Sequence, residues 1–368
     1  MSSRIPDTFK AAQFDKPGDT LRINTVQMKQ PSTGEVLVQV LACGASMYDK
    51  ITQQNYMGTT KYPATPGQEM IGKVCAIGPG VTEWKTDDIV VMTLSVAWIV
   101  KSTASSSTLK ESVTRPGGYA QYCLLRAEAC GRVPNDMRLE WPMMTVLCGV
   151  ASSVYTCLKD MKLPQASPVA IHAEGGRAHL AGAMACAMGY HVVMIGRDRS
   201  VLPSSPAADN DPKDGPGSSA LEMMTRSASF IPMSKNIGQD LMKHHGGHHG
   251  GHRGGVCAIL CLMPGVEHVE SMLEGLRPNG HLIMFAPARE DKLALPTIPL
   301  VSQRRSICGF PASTPLDLEK CFELVKLHSD CFKQVIRVEK YKLEDAQKAF
   351  DAAMDCNAKA KPVLCINC

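Results

Sequence analysis

Short β-branched runs interrupted by Gly and Pro characterise the first 150 residues. They are LVQVLAC (37–43), MIGKVCAIG (70–78), DIVVM (88–92) and YAQYCLL (119–125). Apolar runs of this length between turn-forming residues predict β-strands. We therefore predict a small β-rich barrel at the start of the chain.

From about residue 151 the pattern changes to alternating strands and helices. Nearly all-apolar strands are predicted at 168–173, 190–196, 256–263 and 281–288, and a helix is predicted at 178–189. Strands that are apolar on both faces, with helices between them, indicate a parallel sheet covered on both sides. The fold class is therefore α/β, with a doubly wound parallel sheet beside the β-rich domain.

Two further helices, at 316–328 and 343–355, precede a last apolar run at 362–366. We expect these elements to complete the first domain. The predicted domains are residues 1–152 with 306–368, and residues 153–305.

Two segments interrupt the α/β half. Residues 202–218 are rich in Pro, Ser, Gly and Asp, which predicts a mobile surface insertion. Residues 244–255, HHGGHHGGHRGG, contain five histidines. Histidine is a common metal ligand, but so many glycines do not fix ligand geometry, so a flexible loop is the alternative to a metal site.

Charge and composition narrow the classes of partner. The 39 basic and 35 acidic residues are scattered along the chain, which argues against nucleic acid as a partner. No apolar run approaches the roughly 18 residues that span a bilayer, and the N-terminus lacks the apolar stretch of a secretory signal. We expect a cytoplasmic protein without a membrane partner, whose 15 cysteines are mostly small buried hydrophobes. The last four residues, CINC, fit a prenylation box poorly.

The segment HAEGGRA (172–178) is a candidate phosphate-binding turn between a predicted strand and a predicted helix. Glycines let the backbone approach a dinucleotide, and a helix N-terminus offers N–H groups to its pyrophosphate. His172 stands where the first glycine is expected, and Glu174 brings a negative charge close to the phosphate position. The turn alone is therefore a weak signal. Its candidate cofactor contacts are Gly175, Gly176 and Arg177.

The end of the next predicted strand reads Gly196-Arg197-Asp198-Arg199. A carboxylate directly at this point accepts ribose hydroxyls, whereas a small residue followed by arginine accommodates a 2′-phosphate. If a cofactor binds, the sequence favours NADPH over NADH. Alternatively, both arginines are solvated loop charges.

Several segments resemble the zinc alcohol dehydrogenases of the medium-chain dehydrogenase/reductase superfamily, and the yeast-type enzymes in particular. The resemblance covers nearly the whole chain. The similar segments are 37–50, 65–81, 145–158, 183–196, 274–288 and 360–366. The resemblance implies a GroES-like catalytic domain, a Rossmann nucleotide-binding domain, a small-molecule substrate and a homo-oligomer.

The departures from this family concern its metal sites. The three ligand positions of the family's catalytic zinc fall on Ser46, Gln68 and Cys148, and a hydroxyl and an amide are poor zinc ligands. The segment 95–118, which resembles the structural zinc lobe, contains no cysteine. We therefore predict that neither zinc is bound.

A reductase without zinc needs a side-chain proton donor, or a substrate with an activated C=C bond. Tyr48 is the candidate donor, because it falls where the family carries the hydroxyl of its proton relay; it is equally consistent with a pocket-lining role. Asp49 and Glu69 match acidic positions of the family and are expected to hold local structure. Cys148 is either a nucleophile or an inert buried thiol. Lys361 falls where the family has an arginine near the cofactor pyrophosphate.

The substrate pocket is predicted from segments that line the cleft in relatives. Its candidate residues are Tyr56, Met57, Gln68 and Trp98. Together they suit an apolar or aromatic molecule larger than ethanol, although core packing explains them equally well.

The sequence thus favours a zinc-independent, NADPH-dependent reductase of an activated alkene, a quinone or a ketone in a moderately large organic molecule, on the scale of a secondary metabolite. A second interpretation is a lyase, isomerase or cyclase on the same fold, with Tyr48, His172 or Glu174 as acid or base. A third is a catalytically inactive binding protein. Fold alone does not decide among them.

Overall fold

The computed structural model of the protein describes residues 5–56, 58, 60–92, 117–202, 228–244, 254–265, 267–285, 292–293, 295, 297–310 and 313–367. The chain divides into two compact units, residues 1–153, 312–327 and 337–368, and residues 154–311 and 328–336. The sequence placed all of 306–368 with the first domain, whereas 306–311 and 328–336 belong to the second unit. The predicted insertion at 202–218 and the His/Gly segment at 244–255 lie almost entirely outside the described residues.

The described residues form fifteen strands. In chain order they are β1 (Thr8–Gln13), β2 (Arg22–Gln27), β3 (Glu35–Gly44), β4 (Glu69–Ile77), β5 (Ile89–Met92), β6 (Tyr122–Arg126), β7 (Gly131–Arg132), β8 (Pro168–His172), β9 (His191–Gly196), β10 (Ala228–Pro232), β11 (Val256–Cys261), β12 (Leu276–Met284), β13 (Ser306–Gly309), β14 (Val338–Tyr341) and β15 (Lys361–Cys365).

Ten α-helices accompany these strands in the described part of the chain. They are α1 (Asp49–Gln54), α2 (Trp141–Val146), α3 (Ser152–Met161), α4 (Gly175–Ala187), α5 (Ile237–His244), α6 (Val269–Glu274), α7 (Thr297–Gln303), α8 (Pro315–Leu327), α9 (Ser329–Val335) and α10 (Ala346–Ala353). A π-helical turn, Leu147–Ala151, joins α2 to α3.

The first unit is built on a seven-stranded sheet in the order β14-β15-β3-β4-β5-β7, with β6 also paired to β3. Strand β3 is central and lies buried along most of its length, which explains its almost continuous apolar sequence. In the antiparallel pairing of β3 with β4, Glu69 lies opposite Gly44. In the antiparallel pairing of β3 with β15, Val363 also lies opposite Gly44. The registers therefore gather the end of β3, the start of β4 and the start of β15 at one place.

The second unit contains six parallel strands in the order β10-β9-β8-β11-β12-β13. Renumbered from β8, this order is 3-2-1-4-5-6, that of dinucleotide-binding Rossmann sheets. The strands are apolar because both faces are buried, and the small residues of α4 let that helix lie close to the sheet. The predicted fold class is confirmed.

The continuous helical segment Trp141–Met161 is long and apolar enough, by length and composition, to cross a membrane. However, 67% of its most apolar window is buried inside the protein. Burial of this extent is expected of a core helix in a globular fold.

Gly67 occupies a backbone conformation that other residues rarely adopt. Its φ angle is +103°, and a Cβ atom there would clash with the ring of Tyr119 and lie 2.8 Å from Cys43 Sγ. Only glycine meets both conditions without a shift of its neighbours.

We expect Gly67→Ala to lower the free energy of unfolding by about 3 kcal/mol, since a left-handed backbone and an overpacked core each cost about 1–2 kcal/mol. Chemical denaturation measures the change. Gly18→Ala is the control, because Gly18 has a φ of +82° but open space around it. Equal losses in the two variants would show that the contacts with Tyr119 and Cys43 carry no cost.

Candidate functional site

Asp49 joins three separate segments of the first unit. Its carboxylate accepts hydrogen bonds from the N–H of Ser46 at 2.9 Å, the N–H of Gly67 at 2.9 Å and the hydroxyl of Tyr119 at 3.1 Å. Asp49 and Tyr119 are both fully buried. The carboxylate therefore fixes the loop that carries residues 46–49 against the segment that leads into β4.

Burial raises the pKa of Asp49 to about 6. The N–H groups of Ser46 and Gly67 oppose this rise, while the negative charge of Glu69 adds to it. Removal from water thus outweighs the donors. These contacts are those of a residue that holds local structure.

Glu69 and Lys361 form an ion pair in the interior of the first unit, with 2.9 Å between Oε2 and Nζ. Their side chains are only 9% and 17% exposed. A Cβ atom on Gly149 would lie 2.5 Å from Glu69 Oε1, and one on Gly44 would lie 3.0 Å from Oε2. The carboxylate therefore lies directly against the π-helical turn and the end of β3, and glycines at both places make room for it.

Cys148 lies in the same π-helical turn and is fully buried. Its thiol points to the carbonyl oxygens of Met144 at 3.6 Å and Met70 at 3.9 Å. Burial, followed by the charge of Glu69, raises the pKa of the thiol well above its ordinary value. Cys148 is thus a neutral S–H donor, not a thiolate.

Tyr48 directly precedes α1 and is partly buried. Burial, followed by the charge of Glu69, raises the pKa of Tyr48 to about 12. The phenol therefore keeps its proton over the range in which proteins are stable, as a proton donor must.

The remaining candidate residues of the first unit differ in how far their side chains are buried. Ser46 and Gln68 are buried beside the segments described above, with 7% and 8% of their surface exposed. Tyr56, predicted to line the substrate pocket, is 37% exposed. Met57 and Trp98 lie outside the described residues.

In the second unit, the candidate phosphate-binding turn connects β8 to α4. Helix α4 begins at Gly175, whose φ is +59°, and the side chain of Glu174 does not cap it. Instead, Glu174 Oε1 accepts the backbone N–H of Arg197 at 2.8 Å and lies 3.6 Å from its Nε. The carboxylate is therefore directed to the end of β9, and the first N–H groups of α4 keep their capacity to bind an anion.

The segment after β9 carries the predicted cofactor-selecting residues. A Cβ atom on Gly196 would clash with Val201, so the turn needs a glycine there. The Arg197 side chain is 66% exposed. The guanidinium of Arg199 lies 5.8 Å from the centre of the Phe230 ring. Asp198 accepts the N–H of Ser200, which places that carboxylate in a local cap.

His172 ends β8 at the point where the strand order of the sheet reverses, between β8 and β11. Ligands of open α/β sheets bind in the crevice at such a switch point. Burial, with a smaller contribution from His268, lowers the pKa of His172 to about 4. His172 is therefore a neutral imidazole at neutral pH.

Three residues of these sites were not identified from sequence, namely Tyr119, Gly149 and His268. No local motif marks them, because Tyr119 and His268 act across long sequence separations. Gly149 acts through a π-helical turn that helical periodicity does not reveal. His172 ends β8 and His268 follows β11, so knowledge that these two strands pair would have indicated that the two histidines lie near each other.

The chain combines a Rossmann sheet with a second, β-rich unit, and the proteins that it is similar to are alcohol dehydrogenases and reductases. A family model described as the alcohol dehydrogenase GroES-like domain matches residues 32–135. Alcohol dehydrogenase patD of Penicillium expansum is 28% identical over 380 residues, covering 99% of both chains. Alcohol dehydrogenase notN of Aspergillus sp. (strain MF297-2) is 26% identical over 372 residues, covering 98% of both. The structure of acetophenone reductase from Geotrichum candidum in complex with NAD has a TM-score of 0.74 at 20% identity, covering 99% of both.

Over nearly its whole length the chain is similar to alcohol dehydrogenases, and its first part matches their GroES-like domain, as the sequence indicated. The prediction that it is an oxidoreductase is likewise confirmed.

The lowered pKa of His172 has a consequence for stability. A folded-state pKa of about 4, below the ordinary value of 6.5, means that the native state favours the neutral ring. This stabilisation is present above pH 6.5 and is lost as the pH falls towards 4. We expect it to contribute about 2 kcal/mol to the drop in the free energy of unfolding between pH 7 and pH 5.

Denaturation of a His172→Gln variant at both pH values measures this contribution, because the variant lacks the titrating ring. The control is His191→Gln, which replaces an exposed histidine at the start of β9. If His172→Gln keeps the wild-type pH dependence, the buried neutral state of His172 is refuted.

Proposed function

We propose that the protein is a zinc-independent, NADPH-dependent reductase of a ketone, a quinone or an activated alkene in a moderately large organic molecule. The observation that carries the proposal is the pairing of Glu69 with Lys361 beside the neutral thiol of Cys148. These side chains occupy the neighbourhood where the family's catalytic zinc ligands fall. The second unit meanwhile keeps a helix N-terminus suited to a dinucleotide.

The residues at the three ligand positions do not fit a zinc ion. Ser46 offers a neutral hydroxyl and Gln68 an amide, so only Cys148 has a side chain of a kind that zinc sites use. Zinc sites use thiolates, neutral imidazoles and carboxylates, and the nearby carboxylate of Glu69 already has a cation. We therefore derive no step through a metal.

The second unit supplies the residues for a nicotinamide cofactor. The N–H groups at the start of α4, from Gly176 and Arg177, would hold the pyrophosphate, since Glu174 is directed away to Arg197. Arg197 and Arg199 would face the 2′-phosphate of NADPH, with no carboxylate at Gly196 to repel it. When bound, NADPH supplies the hydride.

We expect calorimetric titration to give micromolar binding of NADPH and weaker binding of NADH. Arg197→Ala should reduce NADPH affinity about tenfold more than NADH affinity, because only NADPH carries the 2′-phosphate, whereas loss of the contact with Glu174 affects both cofactors. The backbone N–H that Glu174 accepts is retained in this variant. Arg22→Ala, an exposed arginine of the first unit, is the control.

Absence of binding for both cofactors would overturn the reductase proposal. Equal affinity of wild type and Arg197→Ala for NADPH would leave a reductase but remove Arg197 from cofactor selection.

The proposed substrate is apolar or aromatic and larger than ethanol. The candidate Tyr56, the half-exposed ring in the first unit, supports this size class. Acetophenone reductase, whose fold the chain shares, acts by its name on an aromatic ketone. Acetophenone is therefore a suitable first substrate for assay.

Tyr48 is the proposed proton donor. Its pKa of about 12 keeps the phenol protonated, and transfer of that proton neutralises the negative oxygen formed when hydride adds to a carbonyl.

We expect Tyr48→Phe to lower kcat about 100-fold or more while NADPH affinity stays near wild type, because only the proton transfer is lost. Steady-state kinetics and calorimetry on the same sample separate the two effects. Tyr341→Phe is the control, since that hydroxyl binds Glu339 at an exposed position. An unchanged kcat in Tyr48→Phe would remove the assignment.

A further inference from the structure

We propose that the ammonium of Lys361 is the cation of the active site and binds the carbonyl oxygen of the substrate, at the place where relatives hold zinc. The inference rests on the proposed function and names the group that recognises the substrate oxygen. The family resemblance suggests a different role for Lys361, in which it binds the cofactor pyrophosphate. That role is the alternative outcome of the test.

The contacts of Lys361 leave donors for a ligand. Its Nζ lies 2.9 Å from Glu69 Oε2, and its side chain is 17% exposed, so one carboxylate holds the ammonium and the side chain is not fully closed off from solvent. Among the described residues Glu69 is the one acceptor that the ammonium contacts. An ammonium has three N–H donors, and those not directed at Glu69 are available to a second oxygen.

The ion pair lies where the family's three ligand positions converge. Gly44, whose Cβ would lie 3.0 Å from Glu69 Oε2 and 3.4 Å from Lys361 Cε, precedes Ser46 by two residues. Glu69 itself follows Gln68, and Gly149, which touches the Glu69 carboxylate, follows Cys148. Each ligand position of the family thus falls within two residues of a residue that contacts the pair.

The charge balance of this region needs a cation. Asp49 and Glu69 are both buried carboxylates, and Lys361 is the cation whose field acts on Asp49 and on the Cys148 thiol. Lys361 is 17% exposed and Glu69 9%, so the cation is the more accessible member of the pair. A carbonyl oxygen is the neutral acceptor that such a donor binds, and it becomes a better acceptor as negative charge develops on it.

The reaction balances with the groups named. When bound, NADPH would supply a hydride to the carbonyl carbon and leave as NADP⁺, and the π electrons of the C=O bond would move to oxygen. The oxygen, held by the Lys361 ammonium, takes the proton of the Tyr48 hydroxyl, and water returns a proton to Tyr48. Lys361 keeps its protons throughout and acts by charge and position.

The test uses benzamide, an unreactive carbonyl compound of the size of acetophenone. Benzamide is titrated calorimetrically into the protein alone and into the protein mixed with NADPH. Loss of a charged donor should weaken benzamide binding about tenfold or more in Lys361→Met, and Lys361→Arg should stay within about threefold of wild type because it keeps the charge. NADPH affinity should not change. Lys340→Met is the matched control, since Lys340 lies on the neighbouring strand β14 and pairs with Glu140 at an exposed position.

Lys361→Met leaves Glu69 buried without its cation, which is unfavourable for folding. The double variant Glu69→Gln/Lys361→Met removes both charges and avoids this problem. It should show the same loss of benzamide affinity. With acetophenone as substrate, both variants should lower kcat about 100-fold, the effect typical of removing one donor to a developing oxyanion.

Three results would overturn the inference. They are wild-type protein that does not bind benzamide, benzamide affinity unchanged in both Lys361 variants, and a loss confined to NADPH affinity. The last result would assign Lys361 to the cofactor phosphates. If NADPH does not bind but benzamide affinity still depends on Lys361, the reductase proposal fails and the carbonyl-binding site stands.

Discussion

The first unit buries two carboxylates, Asp49 and Glu69. A buried negative charge requires hydrogen-bond donors or a cation, and this requirement determines which segments of the unit lie against the two carboxylates. The two are satisfied differently. Asp49 receives two backbone N–H groups and a phenol, which lock loop segments together. Glu69 receives the ammonium of Lys361, and the glycines at 44 and 149 exist to let this pair lie against β3 and the π-helical turn. An internal ion pair thus organises this part of the first unit.

The second unit solves a comparable problem with a single side chain. A glutamate in a phosphate-binding turn is unfavourable for an anionic cofactor, yet Glu174 is directed across to the backbone of Arg197. The charge then braces the ends of β8 and β9 against each other. Its effect on the helix N-terminus is reduced by the nearby guanidinium, which lies within 3.6 Å.

Sequence patterns identified the Rossmann strands and helix α4 because both faces of a parallel sheet exclude polar residues, which makes the strands legible as short apolar runs. These patterns did not predict the full extent of β12. Pro278-Asn279-Gly280 is a turn signal in the sequence. In the structure, β12 continues through these residues, because its pairing with β11 shifts register there. The candidate site divides in the same way. Glu69 and Lys361 were each recognised by position, but their contact joins residues that no local pattern connects. The Glu174–Arg197 contact was missed for the same reason, and the sequence alone suggested only a misplaced charge.

Strand β15 lies between β14 and β3, in the interior of its sheet, although it follows every other strand along the chain. During synthesis, residues 42–44 of β3 therefore lack a partner on the edge that β6 pairs over residues 35–39, and Glu69 lacks its cation, until residues 361–365 have left the ribosome. The sheet and the charge balance are completed together, in a single late docking step. A nascent or truncated chain that lacks this strand exposes both an unpaired edge and an uncompensated carboxylate, features by which quality-control machinery can distinguish an unfinished molecule from a finished one.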